Sequence, residues 1–153
     1  MYAGTKDSSV QRRLIDSLYV EAMVLADDAR SYFDDGNRDE RDSLSTMARV
    51  TFSCESLKVT TRLMHVIAWL LTQRAVFAGE LRAADALDHS RRLGEAPVTN
   101  EEVALELPER ARRLVHASAD LHRRVARLDE AQKAVVSDES PARQMFQRLA
   151  LSF

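Results

Sequence analysis

The sequence predicts an all-α protein, an up-down-up bundle of three long helices built around a long central one. Three observations predict it. Four glycines and three prolines in 153 residues leave few places to turn strands. Apolar residues recur at three- and four-residue spacing along most of the chain. No segment alternates with period two for long enough to form a sheet.

The first helix opens at Ser8, which with Gln11 reads as a capping box. Val10, Leu14, Leu18, Leu25, Ala29 and Tyr32 then form one apolar row, and Ile15, Ala22, Ala26 and Phe33 widen it. Gly36-Asn37 supplies a left-handed stop. The central helix begins between Asp39 and Ser43 and runs to Ala78, with a bend expected at Gly79. Glu80 to Leu93 can continue it as far as Gly94. Thr99 and Glu102 read as a second capping box, with Val98 and Val103 as its hydrophobic staple. Pro108 fits the first position of the third helix. Its seam is Leu114, Ala117, Leu121, Val125, Leu128, Gln132 and Val135. These elements make one domain, residues 1–136. Ser137 to Pro141 reads as a linker opening a C-terminal tail, 137–153, a candidate docking segment. In it Met145, Phe146, Leu149 and Phe153 share a face if helical.

On the central helix, Phe52, Val59, Leu63, Val66, Ile67, Leu70 and Leu71 crowd one arc. Ser53, Ser56 and Thr60 fall within it as small packing residues, with hydroxyls able to bond back along the helix. The opposite arc carries Thr51, Glu55, Lys58, Arg62, His65, Trp69 and Gln73. Glu55 and Lys58 attract by only about 0.2–0.5 kcal/mol, and Lys58 and Arg62 repel by a similar amount. Helix stability therefore does not explain this row. It reads either as a solvated face or as a recognition face, since Trp and Arg are enriched at binding hot spots. Trp69 could equally cover the end of the bundle.

Composition narrows the function. Apolar residues at 45% and charged residues at 30% describe a globular chain. A net charge of −2 gives no overall pull toward nucleic acid or anionic lipid. A single cysteine, Cys54, excludes an internal disulfide and a zinc site of paired thiolates, and its mid-helix place reads as a buried structural thiol. The N-terminus lacks a signal-peptide core, and Leu63 to Leu71 is too short to span a bilayer, so a soluble cytoplasmic protein is expected. No Glu or Asp stands three residues before a histidine, as carboxylate di-iron helices require. No phosphate-binding glycine loop or nucleophile elbow is present. The expectation is a protein without catalytic, metal or cofactor residues that works by binding other proteins. Acidic residues from Asp27 to Asp42 gather around the first turn, and arginines from Arg110 to Arg127 load the third helix. The arginines flank the seam on both sides without stacking aromatics. They suit a docking surface for acidic proteins better than a nucleic-acid stripe.

The block Phe52-Ser53-Cys54-Glu55-Ser56-Leu57-Lys58-Val59-Thr60-Thr61-Arg62-Leu63-Met64, continuing through Trp69-Leu70-Leu71-Thr72-Gln73-Arg74-Ala75-Val76, resembles the RcdA family, regulators of CtrA degradation in alphaproteobacteria. Tyr19 to Met23 and Ala29 to Phe33 are similar in style. The resemblance implies a dimeric three-helix bundle in the cytoplasm, with the cell pole as a location. It implies an adaptor for ClpXP proteolysis, with a response-regulator primer, substrate proteins and a cyclic-di-GMP effector protein as partners, and a C-terminal tail important for delivery. The protein-binding residues expected are Glu55, Lys58, Arg62, His65 and Trp69, with Met145, Phe146, Leu149 and Phe153 in the tail. A dimeric scaffold without a protease link and a DNA-associated regulator are the alternatives.

Overall fold

A computed structural model describes residues 3–152, and among these there is no strand. Helix α1 spans Ala3–Ser31 and leaves through a π-helical turn, Tyr32–Gly36. A short α2, Arg38–Asp42, leads to the central α3, Thr46–Phe77. Two 3-10 turns, Asp85–Leu87 and His89–Arg91, and a one-turn α4, Glu101–Ala104, precede α5, Glu109–Leu151.

Local chemistry sets these boundaries. Ser45 caps α3, its hydroxyl accepting from the Ala48 amide at 3.2 Å. At the other end Gly79 adopts φ +76°, while Glu80 N–H bonds the Ala75 carbonyl and Gly79 N–H bonds that of Val76. That pairing satisfies two orphan carbonyls and requires the left-handed conformation glycine adopts most easily. The helix therefore stops at Gly79 rather than bending, and Glu80 to Leu93 does not extend it. Gly36 is different: its φ is not positive. The stop expected at Gly36-Asn37 is instead a π turn in which the buried Asn37 amide donates to the Phe33 carbonyl at 2.9 Å. Helix α1 starts before Ser8, so the Ser8–Gln11 capping box is not its cap. Asn100, not Thr99, caps α4 by accepting from Glu102 N–H, and Val98 is exposed rather than stapled to Val103. Pro108 is the N-cap of α5. The backbone of α5 continues through Ser137–Pro141, where a linker was expected.

The up-down-up order is corrected by the pairing of the long helices. Asp16 meets Arg74 and Tyr32 meets Phe52, so α1 and α3 are antiparallel. Asp28 with Arg110, and Glu21 with Arg124, make α1 antiparallel to α5 as well. But Arg62 meets Ser118, Trp69 meets Asp129 and Gln73 meets Gln132, so α3 and α5 run parallel. The chain must therefore return along α3 before α5 can start. Retracing about 24 helical residues is about 36 Å, which roughly eleven extended residues can span. Residues 80–100 make this journey as a strap lying against α3 and α5.

The core joins Ile15, Leu18, Ala22 and Tyr32 of the first turn and helix to Val59, Leu63, Val66 and Leu70, and to Leu114, Val115, Leu121 and Val125. Tyr32, Phe33 and Phe52 pack edge to face at one end. The Tyr32 hydroxyl donates to Glu40 at 2.5 Å; burial first, and then the Glu40 carboxylate, hold it well above the usual phenol range. Replacing Gly79 by Ala should lower stability by about 1 kcal/mol in urea denaturation, because the left-handed cap is strained for any side chain; an unchanged midpoint would show that the cap is dispensable.

Candidate functional site

The polar row of α3 is interior. Glu55, Arg62, Trp69 and Gln73 are buried, with Arg62 and Trp69 each only 2% exposed, and Lys58 and His65 are half-buried. This corrects the solvated face. The strap lies on this arc, and Glu55, Lys58, Arg62, Trp69 and Gln73 each hydrogen-bond it or α5.

An extended segment without regular structure must find partners for its backbone groups away from water. Lys58 Nζ donates to the Val98 carbonyl at 2.9 Å. Arg62 Nη2 donates to the Pro97 carbonyl at 2.9 Å and to Thr99 Oγ1 at 2.6 Å, while Nη1 reaches Ser118 Oγ at 3.3 Å. The Thr99 hydroxyl in turn donates to Glu55 Oε2 at 2.6 Å, and Lys58 donates to Glu55 Oε1 at 2.8 Å. Thr99 thus leaves its expected capping role to bridge a buried guanidinium and a buried carboxylate. Burial pulls the Arg62 pKa down, and Glu55 opposes that shift. His122 Nε2 donates to the Gly94 carbonyl at 2.9 Å, which fixes the proton on that nitrogen. Gly94 itself lies on the His65 ring: a Cβ there would meet Nδ1 at 2.7 Å. Only glycine lets the strap pass so close.

Further along, Trp69 Nε1 donates to Asp129 Oδ1 at 3.0 Å, and Arg92 of the strap clasps the same carboxylate, Nη2 to Oδ2 at 2.7 Å. That hydrogen bond, together with the charge of Asp129, raises the Arg92 pKa. Asp129 was not singled out in the sequence, and Thr99 was read only as a helix cap. A buried indole needs an acceptor, which was the available signal for the first.

The outward face of α3 also departs from expectation. Ser53 and Thr60 are exposed and Ser56 half-buried, although Ser56 and Thr60 hydroxyls do bond back to the carbonyls of Ser53 and Ser56. Cys54 is exposed, not a buried thiol. With Val50, Leu57, Met64 and Leu71, all exposed, it lies on a seam at alternating three- and four-residue spacing: Met47, Val50, Cys54, Leu57, Thr61, Met64, Ala68, Leu71. None of these residues is charged. On α5, Met145, Phe146 and Leu149 are exposed, and Phe153 lies outside the described residues.

Two of the α5 arginines, Arg110 and Arg124, reach across to α1, whereas Arg113 and Arg123 pair within α5. Arg110 pairs with Asp28 and stacks 4.9 Å from the Tyr32 ring centroid, and Arg124 pairs with Glu21 and Asp120. Among the described residues no group of three or more His, Cys, Asp or Glu is placed to hold a metal ion, and no helix is long and apolar enough to cross a membrane.

A family model described as "Protein of unknown function (DUF1465)" matches residues 6–153. The chain belongs to this family. Among solved structures, it is similar to RcdA from Caulobacter crescentus CB15, with 33% sequence identity and a TM-score of 0.64. The match covers 78% of this chain and 90% of that one, so an RcdA-like fold is shared by two members of related sequence. None of the curated proteins matches the chain.

Arg62→Met should cost about 1–3 kcal/mol for each strap acceptor it leaves without its donor, the Pro97 carbonyl and Thr99 Oγ1; Arg62→Lys should not rescue it, lacking the forked geometry. Urea denaturation measures the loss, and hydrogen exchange in residues 94–100 should rise with it. Trp69→Ala should likewise cost about 3–5 kcal/mol. A melting temperature left near wild type would contradict the burial of the indole.

Proposed function

We propose that the chain is a non-enzymatic, homodimeric adaptor that helps deliver substrate proteins to the ClpXP protease in cell-cycle-regulated proteolysis. The observation that carries this reading is the 33% identity to RcdA over 78% of the chain, with the fold retained. The partners it calls for are ClpXP with a response-regulator primer, substrate proteins and a cyclic-di-GMP effector protein, in the cytoplasm and at the cell pole.

The exposed α3 seam supports dimerisation. An uncharged heptad stripe on one helix is the pattern that buries itself against a like helix, and a two-fold axis would pair it with its own copy. Leu57 and Met64, 67% and 63% exposed, are its largest central members. Residues 1–136 form the bundle in this reading and 137–153 the docking tail. Its exposed Met145, Phe146 and Leu149 suit a groove on a partner. Glu55, Lys58, Arg62, His65 and Trp69 then serve binding indirectly, by fixing the strap and through it the surface around it.

Two measurements test this. Added to ClpXP with its response-regulator primer and cargo, the protein should accelerate cargo degradation, and deletion of 137–153 should abolish the gain; an unchanged rate with the full chain sinks the adaptor reading. Leu57→Glu combined with Met64→Glu should convert a dimer into a monomer of equal helicity in light scattering. A double variant that stays dimeric removes the seam from the interface.

A further inference from the structure

The outer face of α3 has an order beyond its lack of charge. On a heptad, Met47, Cys54, Thr61 and Ala68 take one seam position, and Val50, Leu57, Met64 and Leu71 take the other. Apart from Met47 at the helix start, the first set is small and the second is bulky. Cys54 and Ala68 are exposed and Thr61 is half-buried, while the five large members are between 47% and 75% exposed. From Val50 to Leu71, bulky and small residues therefore alternate along one open stripe.

The alternation decides how a second copy of α3 can lie against it. In a parallel pair each seam position faces its own equivalent. Cys54, Thr61 and Ala68 would stack small on small and leave voids, while Leu57, Met64 and Leu71 would crowd large on large. In an antiparallel pair each position faces the other kind, so every small residue receives a bulky one and the layers fill evenly. One register uses all eight residues. It sets Leu57 against Thr61, Cys54 against Met64, Val50 against Ala68, and Met47 against Leu71.

Charge points the same way. The segment before α3 carries Asp34, Asp35, Asp39, Glu40 and Asp42 against only Arg38 and Arg41. A parallel pair would set two such segments side by side, and like charges placed together are unfavourable. The antiparallel pair sets each beside the far end of α3, which carries Arg74. Covering the five large residues removes on the order of 500 Å² from each copy, about 1,000 Å² in all, where specific interfaces begin.

We propose that this face is occupied by a second copy of the chain bound antiparallel, α3 on α3, about a two-fold axis between Leu57 and Thr61. This assignment rests on the dimer reading and adds its direction. The direction also places the tails. Since α5 runs parallel to α3, with Ser118 level with Arg62, the two α5 helices of the dimer point opposite ways. Their exposed Met145, Phe146 and Leu149 then lie roughly 100 Å apart along the axis, from the helical rise per residue. Each tail meets a partner of its own, and the dimer is a two-ended connector.

Cys54 is the single cysteine, so the native chain carries one probe. In the antiparallel register it faces position 64 of the other copy, and the two Cys54 thiols are about 15 Å apart along the axis, out of reach of a short bis-maleimide. Full-length wild type treated with that reagent should stay almost wholly uncross-linked. Met64→Cys should form a covalent dimer at least tenfold more, and adding Cys54→Ser to it should restore the wild-type level. Val50→Cys with Ala68→Cys, in the Cys54→Ser background, should link as Met64→Cys does. Light scattering separates the failures. A monomeric wild type fells the dimer reading and the direction with it. A dimeric wild type that cross-links through Cys54 is parallel, which overturns the direction alone. A dimer in which neither paired variant links overturns the proposal and removes the seam from the interface.

Discussion

The parallel alignment of α3 and α5 is the constraint on which the rest of the molecule depends. Two parallel helices cannot be joined by a short turn, so residues 80–100 must travel back along the bundle as irregular chain. Irregular backbone brings carbonyls with no helical partner, and water cannot reach those that face the groove. The row from Glu55 to Trp69 answers that need. Lys58 and Arg62 bond strap carbonyls, Thr99 bridges Arg62 to Glu55, and Arg92 of the strap meets Asp129 beside the indole.

Charges buried in this way are not a simple source of stability. Desolvating an ion pair costs several kcal/mol, and a packed apolar row would often do as well. What the charges provide is direction. A guanidinium offers donors in a fixed fork, and here the fork spans the Pro97 carbonyl, the Thr99 hydroxyl and Ser118 of α5. Gly94 supplies the close approach over His65 that places the strap within range. With the inner face of α3 so committed, its outer face is left with an uncharged seam, and the end of the groove with an apolar pocket. Which surfaces are left exposed follows from where the strap lies.

Much of the helical content was legible because it rests on local periodicity. Leu18, Ala29 and Tyr32 of the first row and Ile15 and Ala22 of the second lie in the core, as do Val59, Leu63, Val66 and Leu70, whereas Val10 and Leu14 at the start of the first row are exposed. Other readings failed where a local rule met a tertiary demand. Thr99 has the sequence of a helix cap, yet a buried guanidinium and carboxylate hold its hydroxyl, and Asn100 caps instead. The polar arc was read as a solvated or a recognition face, although charged residues are buried only when they find partners. Its partners come from the strap and α5, up to 60 positions away. Nothing on α3 itself could announce them, except that the row made poor sense as helix stabilisation.

By itself the sequence determined an all-α chain, the identity of its three long helices and its resemblance to RcdA, because periodicity and a contiguous block survive without knowledge of the fold. Only the tertiary structure decided the direction of α5 relative to α3, and with it which side of α3 is inside. The hydrophobic pattern of a helix records that a face is buried but not the polarity of its neighbour, and a parallel and an antiparallel partner satisfy the same stripe.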